Sequence, residues 1–299
     1  MLPPRYKPGT WPIWAGLGVL RLISMLPARL ALGFGALLGR LATPLVPPQK
    51  KHIAETNLRL CFPELSREAR KRLLRQHVRN MGISVMETCL AWWAPDDRLR
   101  SLGEIEGLEH LQAAMAEGKG VILLSAHFTM LEIGGHLVGL SAPTQVVYRR
   151  HQNPALEYVT RRGRERHAEK TMHRDDIRDM VRSLRAGRVV WFAPDQNYKH
   201  ANKVFAPFFG IAAATNPAPS RLAAMTGARV VPFVTLRRRD GYRVRIQPAL
   251  DNFPSEDLQA DTARINAIFE DWAREQPADY YWLHRRFKTR PAGEPPIYS

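Results

Sequence analysis

His127 and Glu132 stand five residues apart in the stretch SAHFTMLEIGG, Ser125 to Gly135. A histidine with one ring nitrogen held by a carboxylate has a fixed tautomer, and its other nitrogen is left as a general base. Such a base needs no serine or cysteine nucleophile when the substrate supplies the attacking hydroxyl. On one continuous α-helix, residues five apart diverge by about 140° around the axis and do not meet. The pairing therefore requires His127 to lie just before the first helical turn, with Glu132 reaching back from that turn. Alone, H-x4-E is a weak signal, because a histidine at a helix start commonly serves as a cap. The apolar residues between the two, and the lack of a third ligand nearby, do not resemble a zinc site.

The elements around the pair have to position it. Val121 to Leu124 is a short apolar run that reads as a buried parallel strand, which places His127 at a strand end. Further strands are expected at Thr144 to Tyr148, Val189 to Ala193, Val230 to Leu236 and Tyr242 to Gln247. Helical patterns fall at Met130 to Gly139, Pro154 to Ala168, Asp175 to Arg185, Pro217 to Met225 and Thr262 to Glu275. Strands alternating with helices predict an α/β fold with a mainly parallel sheet flanked by helices. In such folds active sites gather at the carboxyl ends of the strands. Arg149 lies at the end of a second strand and Asp195 at the end of a third. Pro232, inside the fourth, is expected to end pairing there.

Upstream, the chain from Lys50 to Trp93 is helical in pattern, with Ser66 as a plausible N-cap and Pro95 as the stop. Residues 1–48 differ from the rest. Trp11 to Leu26 and the run after Pro27 are apolar, yet neither holds about 20 uninterrupted apolar residues. Trp11 and Trp14, with Arg5 and Lys7 outside them, suit a membrane interface. This segment reads as a membrane anchor, spanning or interfacial, with a buried helical hairpin as the alternative. Residues 49–299 would then form the catalytic domain. No small-residue cleavage site follows a compact apolar core, so a secretory signal is not expected.

The 299 residues carry a formal net charge of +16, which predicts an anionic partner, although a general preference for Arg accounts for part of it. Nucleic acid is not the expected partner, because no RNP-like aromatic motif, helix-turn-helix signature or zinc framework is present. Cys61 and Cys89 show neither metal-ligand spacing nor a disulfide framework, which suits a reducing compartment. No nucleotide or metal motif is found, so no cofactor is expected.

Longer blocks narrow the reading. NLRLCFPELS, VYRRHQNP, RGRER, GRVVWFAPDQNY, VFAPFFG, RLAAMTGARVVPF and YYWLHRRFKTRP span about Asn57 to Pro291. Together they resemble the late acyltransferases of lipid A biosynthesis, of the lauroyl type, relatives of the glycerolipid H-x4-D/E acyltransferases. The resemblance implies transfer of a fatty acyl chain from acyl carrier protein to a 3-hydroxyacyl hydroxyl of a Kdo-bearing lipid A precursor, at the cytoplasmic side of the inner membrane. It also implies that His127 and Glu132 are the catalytic pair, and that Arg149, Arg164 and Asp195 serve the substrate site. Arg149 and Arg164 would offer guanidinium forks to the acceptor's phosphates; the other account of both is a solvated face, and of Asp195 the cap of a turn after Pro194. Asn197 stands where the family's PDQDYG block has a second Asp, which bears on substrate preference. A relative acting on another glycolipid or phospholipid is the alternative. Arg285, Arg286, Lys288 and Arg290 read as a basic tail for the acidic carrier protein or for headgroups. His284 reads as structural, and Tyr280, Tyr281 and Trp282 read first as packing residues and second as a lipid-facing wall.

Overall fold

A computed structural model describes residues 3–298. It opens with two apolar helices, α1 (Trp11–Met25) and α2 (Ala28–Ala42), then α3 (Pro48–Cys61), α4 (Arg67–Trp93) and the short α5 (Asp96–Arg100). The alternating part follows: β1 (Gly103–Glu106), α6 (Leu108–Ala116), β2 (Val121–Leu124), α7 (Leu131–Gly139), β3 (Thr144–Tyr148), α8 (Pro154–Arg164), β4 (Lys170–His173), α9 (Ile177–Arg185) and β5 (Val189–Phe192). A hairpin of β6 (Val204–Phe208) and β7 (Ile211–Thr215) comes next, then α10 (Ala218–Thr226), β8 (Arg229–Arg237), β9 (Tyr242–Ile246) and α11 (Leu258–Glu275).

Seven strands form one sheet in the order β1-β9-β8-β2-β5-β3-β4. All neighbours run parallel except β8 and β9, so the expected α/β class with a mainly parallel sheet is what forms. The central position of β2 follows from its composition. Val121, Ile122, Leu123 and Leu124 are all buried, and they pair with β5 on one side and β8 on the other. Their side chains alternate: Ile122 and Leu124 enter the core shared with α4, α9, α10 and α11, whereas Val121 and Leu123 enter the core under α6 and α7. Pro232 ends the pairing of β8 with β2 opposite Leu124, as a residue without an N–H must. The strand does not stop there, because it runs on to Arg237 against β9.

The five expected strands and the helical stretches are all present, with ends shifted by a few residues. Ser66 caps α4 by accepting from the Ala69 N–H at 3.1 Å. Asp176 and Asp257 cap α9 and α11 in the same manner.

The two N-terminal helices form a hairpin that lies on α4. Cβ atoms added at Gly35, Gly39 or Gly82 would collide with the facing backbone, so α2 and α4 meet there at main-chain distance. Arg98 of α5 donates to the carbonyls of Ser24 (2.8 Å) and Leu26 and so closes the end of α1. The opposite side of the hairpin exposes Trp11, Leu22, Met25, Leu30, Leu37 and Leu41, each at least half open to solvent. Among the described residues no single helix is long and apolar enough to cross a membrane. One pair, Ala28–Leu45 with Pro48–Cys61, meets the length and composition together but is bent by 102°.

Candidate active site

His127 lies in the short turn between β2 and α7, at the carboxyl end of the central strand. Its neighbours hold this turn from both sides. The Ser125 N–H continues the β2–β5 ladder to the Phe192 carbonyl (3.0 Å), and the Ser125 hydroxyl accepts from the Trp191 indole (2.7 Å). From the C-terminal segment, the Tyr281 N–H donates to the His127 carbonyl (3.0 Å), and Asp279 accepts the Thr129 N–H at its own carbonyl (2.8 Å). Phe128 and Tyr280 pair between these bonds, with their rings edge to face at 5.4 Å. Segment 279–281 thus acts as a strap across the turn.

The helix that follows sits tightly on the sheet. A Cβ at Gly134 would strike Thr235 of β8, and one at Gly135 would strike Trp191 of β5. Two consecutive glycines are what let α7 approach this closely.

The carboxylate on His127 is Asp195. Its Oδ1 accepts from Nδ1 at 2.5 Å, and its Oδ2 accepts from the His127 backbone N–H at 3.0 Å. Asp195 is 2% exposed, whereas the histidine side chain keeps a third of its surface. With Nδ1–H committed to the carboxylate, Nε2 carries the free lone pair. Burial works against an imidazolium here, but the Asp195 charge outweighs it, and the His127 pKa is raised above the ordinary histidine value. Burial likewise opposes the Asp195 charge, and the adjacent histidine wins, holding the carboxyl below its usual range.

This corrects the expectation that Glu132 reaches back to His127. Glu132, in the first turn of α7, is taken by other partners. Its Oε1 accepts from Arg164 Nε at 2.9 Å and from a second guanidinium nitrogen, and its Oε2 accepts from the Trp92 indole at 3.2 Å. The reason is geometric. Asp195 follows the strand adjacent to β2 and arrives beside His127, whereas Glu132 faces α8 and α4, where a guanidinium fork and an indole N–H converge. Burial raises the Glu132 pKa, Arg164 more than reverses this, and the net shift is downward. The ion pair lies close enough for both charges to act on His127 in opposite senses. Behind it His136 stands 4.0 Å from Glu132 and 2.7 Å from His167 (Nδ1 to Nδ1), and His167 contacts Asp96 at 3.1 Å.

Arg164 therefore does not face solvent as an open phosphate donor. Its guanidinium is spent on Glu132 and rests over the Tyr148 ring at 5.6 Å. Arg149 is exposed just past β3. His127, Glu132, Arg164 and Asp195 are thus gathered at one rim, and Arg149 takes no part in their hydrogen bonds. Of the four C-terminal cations, Arg286 and Arg290 do not belong to a free tail either, whereas Lys288 is exposed. Arg286 is 3% exposed and donates to the Ala214 carbonyl, Thr215 and Asn266, while Arg290 is held by the Ala212 carbonyl and Glu294. Burial drives this, because a guanidinium inside the protein needs every acceptor it can reach. His284 is structural as expected, accepting the Asn197 N–H at 2.9 Å.

Sequence reading missed a buried network under the turn. Asp279 Oδ1 accepts from Thr129 (2.6 Å), Asn80 (2.8 Å) and Arg237 (2.6 Å). Arg237 also forks onto Glu87, which Tyr242 reaches at 2.7 Å. Burial pushes the Glu87 pKa up to about 7, with Arg237 opposing it. These residues come from α4, β8, β9 and the strap, and no local pattern links them. Among the described residues no group of three His, Cys, Asp or Glu side chains is placed to hold a metal ion.

The rim thus presents a carboxylate-held histidine at the end of the central strand of a mainly parallel α/β sheet. The family follows from comparison. The family model for bacterial lipid A biosynthesis acyltransferases matches residues 2–289, and the chain belongs to that family; it is an acyltransferase of lipid A biosynthesis. It is 39% identical over 300 residues to the lipid A biosynthesis palmitoleoyltransferase of Escherichia coli K12, covering 99% of this chain and 96% of that one. It is 38% identical over 301 residues to the lauroyltransferase of the same organism, covering 100% and 97%. Among solved structures, a 1-acyl-sn-glycerophosphate acyltransferase, PlsC, from Thermotoga maritima matches at a TM-score of 0.39 and 14% identity, covering 81% of this chain and 97% of that one.

Proposed function

We propose that this acyltransferase moves a fatty acyl group from acyl carrier protein to a 3-hydroxyacyl hydroxyl of a Kdo-bearing lipid A precursor. The observation that carries the mechanism is the Asp195–His127 contact, which leaves Nε2 as the base. The acceptor hydroxyl gives its proton to Nε2 as its oxygen attacks the thioester carbonyl. The tetrahedral intermediate collapses with loss of the pantetheine thiolate, and the imidazolium returns the proton to that sulfur. No net proton is taken up or released. Asp195 stabilises the imidazolium between the two steps. The Glu132–Arg164 pair serves as a positioning element that fixes the start of α7 and leaves a near-neutral field at the histidine.

The exposed apolar side of the α1–α2 hairpin supports docking on a membrane, with the catalytic domain at the cytoplasmic face of the inner membrane. Exposed cations on the next two helices, Lys50, Lys51, Arg59, Lys71, Arg72 and Arg75, suit anionic headgroups.

The deciding experiment is acyl transfer from acyl carrier protein to the Kdo-bearing acceptor, read by mass spectrometry, for wild type and His127→Ala. Product with wild type and none with the variant supports the assignment. Full activity in His127→Ala removes the base, and transfer only to another glycolipid or a phospholipid reassigns the acceptor. Vesicle flotation that survives Leu30→Asp, Leu37→Asp and Leu41→Asp together would remove the hairpin from membrane docking.

A further inference from the structure

A cleft of about 430 Å³ opens beside the catalytic rim, past the carboxyl ends of β3 and β4. Arg5, Arg150 and Arg161 line it, with Tyr148, Tyr158 and His173. The two carboxylates in its wall are already occupied. Glu157 accepts from the Tyr148 hydroxyl (2.6 Å) and the His151 N–H (2.9 Å), and Glu165 accepts from Thr171 (2.7 Å). Among the described residues, the guanidinium groups of Arg150 and Arg161 have no carboxylate or carbonyl acceptor.

Arg5 is held in place before any ligand arrives. Its carbonyl accepts from the Trp14 indole (2.6 Å) and the Thr10 hydroxyl (2.8 Å), and its guanidinium stacks on Tyr158 at 4.6 Å and Tyr6 at 4.8 Å. Its Nε is buried with no acceptor, a donor left over at the wall of the cleft. Three guanidinium groups, one of them preorganised, suit the several oxygens of a phosphate monoester.

The cleft is joined to the catalytic rim by shared residues. Tyr148 lines it and also carries Arg164 on its ring face. Arg161 precedes Arg164 by three residues, on the same side of α8. Strands β2 and β3 are separated only by β5, so the ends of the two strands lie roughly 10 Å apart. Arg164, which the sequence offered as the phosphate fork, is engaged with Glu132.

We infer that the Arg5–Arg150–Arg161 cleft binds a phosphate monoester on the saccharide of the acceptor, holding the sugar while the acyl-accepting hydroxyl reaches His127. This rests on the acceptor proposed above and assigns one of its anionic groups to named residues.

The test compares wild type with Arg5→Gln and with the double variant Arg150→Gln, Arg161→Gln, on the intact acceptor, which as a lipid A precursor carries two phosphates, and on both forms lacking one phosphate. On intact acceptor each variant should raise KM by about tenfold or more, with the loss falling on KM rather than kcat. On the form lacking the bound phosphate that penalty should vanish. An equal penalty on all three acceptors, or no penalty on any, overturns the assignment. Calorimetry separates the site from the reaction. Glucosamine 1-phosphate should bind saturably to wild type and about tenfold more weakly to the double variant, even if no saccharide proves to be an acyl acceptor. Identical binding by both proteins overturns the site. Inorganic phosphate binding as tightly as the sugar phosphate overturns the acceptor as its source.

Discussion

Asp195 Oδ1 lies 2.5 Å from Nδ1 of His127, while Glu132, five residues beyond that histidine, gives both of its oxygens to Arg164 and Trp92. Two carboxylates, Asp195 buried and Glu132 half-buried, therefore divide the work at this rim. One sets the tautomer and charge of His127, and the other neutralises a guanidinium and fixes the helix that follows this histidine.

Asp195→Asn should leave the fold intact and reduce kcat on the order of a hundredfold or more, because the histidine loses its orienting acceptor. The pH profile gives a second readout. The base must be neutral, and Asp195 raises its pKa, so activity in wild type is lost as pH falls through a value above the ordinary histidine range. Removing the carboxylate lowers that pKa, and the acid limb of kcat should move to lower pH. An acid limb unmoved in Asp195→Asn would show that another group titrates.

For the Glu132–Arg164 pair the expected signature is non-additivity. Glu132→Ala strands a guanidinium that is 18% exposed, and Arg164→Ala strands a carboxylate that is 15% exposed. Each single change should cost about 3 kcal/mol in denaturant unfolding, and the double change less than the sum. Additive losses would mean that the pair contributes little beyond its separate packing.

The strap makes a separate prediction. Asp279→Ala removes the common acceptor of Thr129, Asn80 and Arg237. Stability should fall by about 3 kcal/mol, since buried donors lose their partner. The rate should fall as well, because the turn carrying His127 loosens. Asp279→Asn, which retains one acceptor oxygen, should recover part of both. An Asp279→Ala protein with wild-type kcat would show that the turn is held without this network.

Acid should unfold the protein through its buried histidines. Burial pushes His77 down to about 4, His284 to about 4 and His136 to about 3. The folded value lies below the unfolded one in each case. The unfolded chain therefore takes up the proton first, and stability present above pH about 6.5 is lost as pH falls toward 4. His77 alone is worth about 3 kcal/mol over that window, as Nε2 is buried without a partner. His77→Gln should flatten the dependence of melting temperature on pH, and an unchanged slope would assign the acid lability elsewhere.

The inner strands were legible because β2, β3, β5 and β8 carry apolar runs of strand length, and β9 alternates apolar residues with arginines. The edges were not. GEIE in β1 and KTMH in β4 carry polar residues on the open side of a terminal strand, and the β6–β7 hairpin turns at Phe209 and Gly210, both at positive φ, without an Asn-Gly signal. Of the site residues, His127 and Asp195 were legible at strand ends and Glu132 in the turn beyond, whereas Arg164 came only through the family resemblance. Which carboxylate holds the histidine was not, because strand adjacency decides it and residues 127 and 195 meet only through the β2–β5 pairing. Asp279 was invisible for the same reason: its partners come from four separated elements.

The strap has a consequence in time as well as in space. Protein synthesis runs from the N-terminus, and the base, its carboxylate and the Glu132–Arg164 pair all leave the ribosome well before residues 279–281. The bonds from Asp279 and Tyr281 to the turn at His127–Thr129 come from the last-made part of the site. A nascent chain that has already paired β2 with β5 and β8 still has the turn at His127 unclamped, and it stays so until residues 279–281 have been made and have emerged.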